Sequence, residues 1–487
     1  MKNCTFLLGL FFTICTSVFG DGPPQQWVAI YNGPGDDSEL AYGLAVDSLE
    51  NVYVTGSSYD GNTFDDYTTV KYDSDGAQLW VKRYNGPGNG NDGASDLAID
   101  NSGNIYVTGY SYDVSTNIDF ATVKYDASGN QLWAIRYNGP DNSDDSASTL
   151  AVDNLGNLYV AGVSFDSVTG NDYATVKYGP AGNQLWAERY NGPEDGDEEA
   201  FDLAIDSSGN VCVTGIGFSG ITSADYLTVK YDPDGNRLWV ARYDGPQNSD
   251  DNAYVLAIDS SGNIYVTGTS FGGATNYDYA TVKYGADGSQ IWAVRYNGPG
   301  NDDDGAQDLA IDSGGNVYIT GYSYDSNTNY DYATVKYDHN GNHLWSARYN
   351  GPDNSGDYAY ALAIDNSGNV YVTGISFDGN TANDYATVKY SSDGKQLWVA
   401  RYNGTGNSDD YASSIFVDNN GNVYTSGQSI ASGTNFDYAT IKYIQRGYCI
   451  SPVVGDLNND CKVDVEDFAM LASHWLECNY ALEEDCQ

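Results

Sequence analysis

The sequence predicts an all-β fold: an eight-bladed β-propeller whose N-terminal strand closes the last blade, followed by a small C-terminal loop-helix calcium module. Three observations carry this. Tryptophan recurs at Trp27, Trp80, Trp133, Trp186, Trp239, Trp292, Trp345 and Trp398, always 53 residues apart. The Asp that opens an Asp-Tyr-Ala-Thr-Val-Lys-Tyr motif keeps the same step, at Asp66, Asp119, Asp172, Asp225, Asp278, Asp331, Asp384 and Asp437. Each unit also reads as four short β-branched and aromatic runs separated by Gly- and Asn-containing turns, with no helical periodicity.

In the copy from Ala94 to Asn138, Leu97 to Asp100, Ile105 to Gly109, Phe120 to Tyr125 and Gln131 to Tyr137 read as strands, and Asn138-Gly139-Pro140 begins a polar crossing to the next unit. Four antiparallel strands per repeat of about 40 to 55 residues make a propeller blade. A superhelix of hairpins and a seven-bladed ring with one decorative repeat are the competing geometries. Closure is legible at the ends. Trp27 to Tyr31 is a fourth strand with nothing before it, and Ser413 to Tyr443 supplies three strands with no fourth.

The motifs Ala-x-Asp-x-x-Gly-Asn-x-Tyr-Val-Thr-Gly, Asp-Tyr-Ala-Thr-Val-Lys-Tyr and Gly-Asn-x-Leu-Trp resemble the bacterial beta-propeller repeat family called SBBP, over roughly residues 27–443. The resemblance implies an exported or surface protein with no defined reaction. A propeller fold by itself assigns no chemistry.

Residues 1–20 have the form of an export signal, with Lys2, an apolar stretch from Phe6 to Phe19 and Gly20 before Asp21. The stretch is too short to span a bilayer, and no later segment is long enough. A lipid on Cys15 is disfavoured because Ile14 has the wrong size for that cleavage. Residues 21–443 form the propeller and 444–487 the tail. The expected location is secreted or extracellular, with attachment to a cell surface as a further option. The 67 acidic residues against 21 basic ones, a net charge of −46, exclude a nucleic-acid partner and favour cations.

Many charged residues recur at one blade position, which points to structure before function. Lysines such as Lys71 and Lys124 recur on the third strand, arginines such as Arg83 and Arg136 on the fourth, and Asp47, Asp100 and their copies end the first. Their expected use is pairing between neighbouring strands or blades. The Tyr and Trp ladders are expected to fill the space between blades, with a sugar-stacking platform as the alternative. One position suggests a site. The crossing before each first strand always carries an acid, at Glu39, Asp92, Asp145, Glu198, Asp251, Asp304, Asp357 and Asp410, and the preceding residue is also acidic in Asp144, Asp197, Asp250, Asp303 and Asp409. Eight carboxylates at one mouth of the channel would repel one another or recruit Ca²⁺. The plainer reading is a set of solvated loop acids.

The tail holds a second candidate metal site. Asp456, Asn458, Asp460, Lys462 (through its carbonyl), Asp464 and Asp467 follow the spacing of an EF-hand calcium loop. Cys461 stands where Gly usually makes the turn, and Asp467 is shorter than the usual Glu. Phe468, Leu471, Ala472, Trp475 and Leu476 form one apolar helical face after it. A calcium loop with one following helix resembles half of a type I dockerin, which implies a cohesin-like or cell-surface partner. Four cysteines, Cys449, Cys461, Cys478 and Cys486, suggest two disulfides of open connectivity, and Cys212 a buried free thiol.

No catalytic constellation is legible. Of three histidines, His339 and His343 flank one hairpin turn and His474 lies in the tail. Uniform repeat length leaves no blade visibly specialised, which argues against the asymmetric pocket of eight-bladed quinoprotein dehydrogenases. The expectation is a non-catalytic binding or scaffold protein, with a protein or glycan ligand on the propeller face and calcium as cofactor. The alternatives are a polysaccharide hydrolase or lyase delivered by the tail, and a structural matrix component.

Overall fold

The computed structural model describes residues 20–445, apart from Asp36, Glu194 and 219–222. The export signal up to residue 19 lies outside the described residues. So do the residues of the calcium loop and helix predicted for the tail, and its four cysteines.

The described chain is all-β, and eight four-stranded antiparallel sheets follow one another as blades. Blades 1 to 7 span residues 39–84, 92–137, 145–190, 198–243, 251–296, 304–349 and 357–402. Blade 8 takes three strands from 410–443 and its outer strand, Gln25–Tyr31, from the N-terminus. Ring closure is explicit. Ser413 Oγ of blade 8 donates to the Ala41 carbonyl of blade 1 at 3.0 Å, and the Tyr438 hydroxyl to the Thr68 carbonyl at 3.3 Å. The hairpin superhelix and the seven-bladed ring are thereby excluded. A further two residues, Gly20–Asp21, pair in parallel with the outer strand of blade 7.

In blade 2 the strands are Asp92–Ile99, Ile105–Asp113, Asn117–Tyr125 and Gln131–Tyr137. The inner three are longer than their apolar runs suggest, because polar residues at their ends are paired rather than solvated. The Asp that ends each first strand does not bridge blades as its main task; it caps its own turn. Asp100 Oδ1 accepts the N–H groups of Ser102 and Asn104, each at 2.9 Å, and Gly103 supplies the positive φ that the turn requires. The expected pairing between strands is present as well, within the blade: Lys230 lies 2.9 Å from Asp206, and the Tyr106 hydroxyl donates to Asp100 at 3.1 Å.

Blade-to-blade packing follows one scheme. Each of the eight hydrophobic clusters among the described residues draws on two neighbouring blades, for example Tyr53 and Tyr67 with Leu97, Val107, Ala121 and Val123. The third-strand Tyr67 is fully buried and spends its hydroxyl on the Ala121 carbonyl of the next blade at 2.9 Å. Lys71 and Trp80 both donate to the Ala127 carbonyl in the next blade's outer turn, at 3.1 and 3.4 Å, and the ammonium sits 4.9 Å from the Tyr53 ring centroid. The fourth-strand arginines grip the Asp of the third strand within their own blade. Six such pairs lie at 2.6–3.0 Å. In blade 4 the Arg242–Asp225 separation is 3.8 Å, and Gly217 stands there in place of the serine that anchors the other arginines. The repeated bases are thus structural, between strands or between blades.

Candidate functional site

The ring has two faces. One carries the interblade crossings and the hairpins between second and third strands; the other carries the remaining turns. The predicted eight-acid ring opens the innermost strands on the crossing face, but it does not form a channel mouth. Glu39, Asp92, Asp145, Glu198, Asp251, Asp304, Asp357 and Asp410 are all at most 1% exposed. Each carboxylate of the seven from Asp92 onward folds back on its own crossing and accepts the N–H of the Gly in Asn-Gly-Pro or its variants, from 2.5 Å at Gly298–Asp304 to 3.0 Å at Gly192–Glu198. Glu39 accepts Ser58 Oγ at 3.2 Å. The solvated-loop reading does not survive this burial. The acids are internal clasps that fix where each crossing enters its blade. Their pKa values are raised, to about 7 for Glu39 and Glu198 and about 6 for Asp304, Asp357 and Asp410, chiefly by burial and not by repulsion within the ring.

The preceding acids also clamp blades. The carboxylates of Asp197, Asp303 and Asp409 accept backbone N–H groups at the start of the previous blade's third strand, from Asn171, Tyr277 and Asn383, at 3.0, 3.3 and 3.3 Å. In one place acids converge: Asp225, Asp244 and Asp251 bring carboxylate oxygens within 4.8 Å of one another, where Asp244 replaces the Asn of the other crossings.

A second acidic set was not anticipated. Asp96, Asp202 and Asp308 occupy the fifth position of the innermost strand in blades 2, 4 and 6, where the other blades carry Gly43, Thr149, Val255, Ala361 and Ser414. Each sits at a β-bulge and bridges two blades. Asp202 accepts Leu203 N and, from blade 5, Leu256 N, both at 2.8 Å; Asp308 accepts Leu309 N and Leu362 N, both at 2.7 Å. Burial pushes Asp202 and Asp308 up to about 7, and Asp96 and Asp308 add their negative charge at Asp202.

These raised values predict the pH dependence. A carboxyl with a raised folded pKa favours the folded state most when protonated. That contribution is complete below the unfolded value of about 4 and is lost as pH rises through 6 and 7. The groups with lowered values, such as Asp47 and Asp100, titrate below that window. Calorimetry should therefore find the melting temperature several degrees higher at pH 5 than at pH 8. Replacing Asp202 and Asp308 by Ser, the residue blade 8 already carries, should flatten the slope between pH 5 and 7.

Cys212 is a buried free thiol, as expected, with its pKa pushed up to about 12 by burial. His339 and His343 are exposed.

The repeat also departs from symmetry on the crossing face. Aromatic rings gather on its later blades. Tyr322 meets Tyr330 and Tyr358 with centroids 5.5 and 5.3 Å apart, Tyr411 meets Phe436 at 5.5 Å, and Phe201 meets Tyr254 at 6.0 Å. Between blades 2 and 3 the same face opens into a cleft of about 580 Å³ lined by Tyr110, Phe165, Ser143, Asp144, Ser146 and Asn171, with Ile118 and Val163. A larger hollow of about 820 Å³ lies at the outer rim beside Gly22, Tyr349, Arg401 and Tyr443.

Comparison with known proteins agrees with the repeat. SBBP beta-propeller repeats are found at residues 26–62, 79–113 and 238–273. An uncharacterized WD repeat-containing protein of Acanthamoeba polyphaga mimivirus is 27% identical over 320 residues, which is 50% of this chain; the chain spans 22% of that relative's length. Among solved structures, the propeller domain of the Trilobed protease from Pyrococcus furiosus is 13% identical, with a TM-score of 0.42 over 74% of this chain and 98% of that one. A puromycin hydrolase S511A mutant is 10% identical, with a TM-score of 0.46 over 84% of this chain and 62% of that one. At these scores the likeness assigns no activity to this chain.

Proposed function

From a closed eight-bladed ring bearing SBBP repeats, we propose that this chain is a secreted or cell-surface, non-catalytic binding or scaffold protein. The propeller presents a rigid crossing face, and the tail at 444–487 anchors or sorts it through calcium. One observation carries the reading. The charged side chains that recur from blade to blade are engaged in holding the ring, as clasps, caps and interblade bonds, while the aromatic clusters and the cleft between blades 2 and 3 lie on the crossing face. A surface of that kind suits recognition more than proton transfer. The calcium part rests on the ligand spacing from Asp456 to Asp467, and the cohesin-like or cell-surface partner on the dockerin-like pattern of that segment.

Retention of the full chain on cell envelopes of its source, with calcium and with EDTA, tests this. Chelation is expected to reduce retention at least tenfold, and Asp456→Ala with Asp460→Ala to do the same in the presence of calcium. Retention indifferent to both would remove calcium anchoring. Turnover of a polysaccharide by the purified chain would replace the binding role with an enzyme.

A further inference from the structure

We propose that the cleft between blades 2 and 3 on the crossing face binds a pyranose ring of a neutral glycan; this deepens the binding role proposed above and rests on it. The floor of the cleft depends on a paired exchange between adjacent strands. Tyr110 on the second strand pairs with Gly93 on the first, and a Cβ at Gly93 would lie 2.6 Å from the Tyr110 ring. Only a glycine there lets the phenol lie down over the inner strand. The equivalents of Tyr110 are Ser57, Val163, Ile216, Thr269, Ile375 and Gln428 in six blades, and Tyr322 in blade 6.

Blade 6 repeats the arrangement. Tyr322 pairs with Gly305, whose Cβ would meet the ring at 2.3 Å. There the space above the ring is taken. Tyr330, in the place of Ile118, and Tyr358, in the place of Ser146, pack on Tyr322 at 5.5 and 5.3 Å. Between blades 2 and 3 the smaller Ile118 and Ser146 leave that space as the cleft. The chain thus contains a filled and an unfilled version of one site, and the filled version holds six-membered rings.

The walls choose among ring-shaped ligands. Tyr110 and Phe165 offer aromatic surface, which suits the C–H face of a sugar. Ser143, Ser146 and Asn171 line the cleft, and their side chains make no hydrogen bond to the protein among the described residues, so they remain available to hydroxyls. Asp144 is held at the rim by the Asn117 amide and by Ile118 N at 3.4 Å. No Lys or Arg lines the cleft. An acid without a base disfavours uronic or sulfated sugars, and the free polar groups favour a polyhydroxylated ring over a phenol. The volume falls within the range of about 300–1,000 Å³ usual for small-ligand sites.

Isothermal titration of the full chain with cellohexaose, xylohexaose and mannohexaose, and with an oligogalacturonate, tests this. At least one neutral oligosaccharide is expected to bind at one site per chain, and the oligogalacturonate at least tenfold more weakly. Ser146→Tyr copies the filled sister site, so it should keep the wild-type melting temperature and weaken binding at least tenfold; Tyr110→Ala should weaken it as much. Absence of binding by all three neutral sugars overturns the assignment. So does a stoichiometry near eight, or binding that survives Ser146→Tyr. That last result places the glycan elsewhere on the propeller and leaves the binding role standing.

Discussion

A chain lacking residues 20–31 is expected to lose cooperative folding at ambient temperature. The excised segment contains the outer strand of blade 8, whose Trp27, Ala29 and Tyr31 pack against Tyr424, Tyr438, Val70 and Tyr72. By burial of Trp27, Ala29 and Tyr31 alone the loss is about 5 kcal/mol, comparable to the whole net stability of many domains. Trp27 also lies over Gly76 of blade 1, where a Cβ would come within 2.6 Å of the indole, so the excision loosens the seam between blades 8 and 1 as well. The control is a circular permutant in which Gln25–Tyr31 follows Tyr443 through a turn like Asp126–Asn130. It rebuilds blade 8 as a continuous hairpin and should recover most of the lost melting temperature. Wild-type thermal unfolding of the truncated chain would remove the claim that the N-terminal strand holds the ring shut.

Gly268→Ala is expected to be among the most damaging single methyl additions in the propeller, alongside the same change at Gly56 and Gly321. Gly268 sits on the second strand of blade 5 opposite the bulge of the first, and its ideal Cβ would fall 1.9 Å from the Asn252 carbonyl oxygen. The clash is with backbone, so no side chain can rotate away. The strands must separate, and the bulge would then lose its register against Thr267 and Thr269. A cost of about 3 kcal/mol or more follows, at the upper end of overpacking effects. Gly103→Ala is the useful contrast. It strains a positive φ, but its Cβ would meet only the Ala127 methyl at 3.7 Å, so it should cost about 1 kcal/mol. Chemical denaturation of both variants checks the order; equal midpoints would contradict it.

The architecture was legible because its signal is redundant. Trp80 and Asp119 belong to two independent rulers with one period, and the orphan strand at Trp27 matched the missing strand after Tyr443. The environment of the acids was not legible. Asp92 and its copies read as residues of the crossing, whereas they open the first strand, and sequence does not show that each carboxylate turns back onto its own crossing. The Asp96 set escaped notice because its position reads Gly, Asp, Thr, Asp, Val, Asp, Ala, Ser around the ring; a search at twice the blade period would have found it. The cleft was hidden for a different reason. It depends on Gly93 facing Tyr110 across two strands, and on Ser146 being small in the next blade, a conjunction of three positions none of which is unusual alone. The predicted calcium-loop residues and the four tail cysteines lie outside the described residues.

The bridging acids have a consequence for descent. Asp96, Asp202 and Asp308 are spaced by two blades, and the Gly-Tyr couples of blades 2 and 6 by four. The backbone is eightfold, whereas these side chains recur every second and every fourth blade, the pattern that copying blades in pairs would leave, broken at Ser414 in blade 8. Four blades alone would end on two open sides, and pairing with a twin would close the torus. Expressed separately, the two modern halves should still find each other.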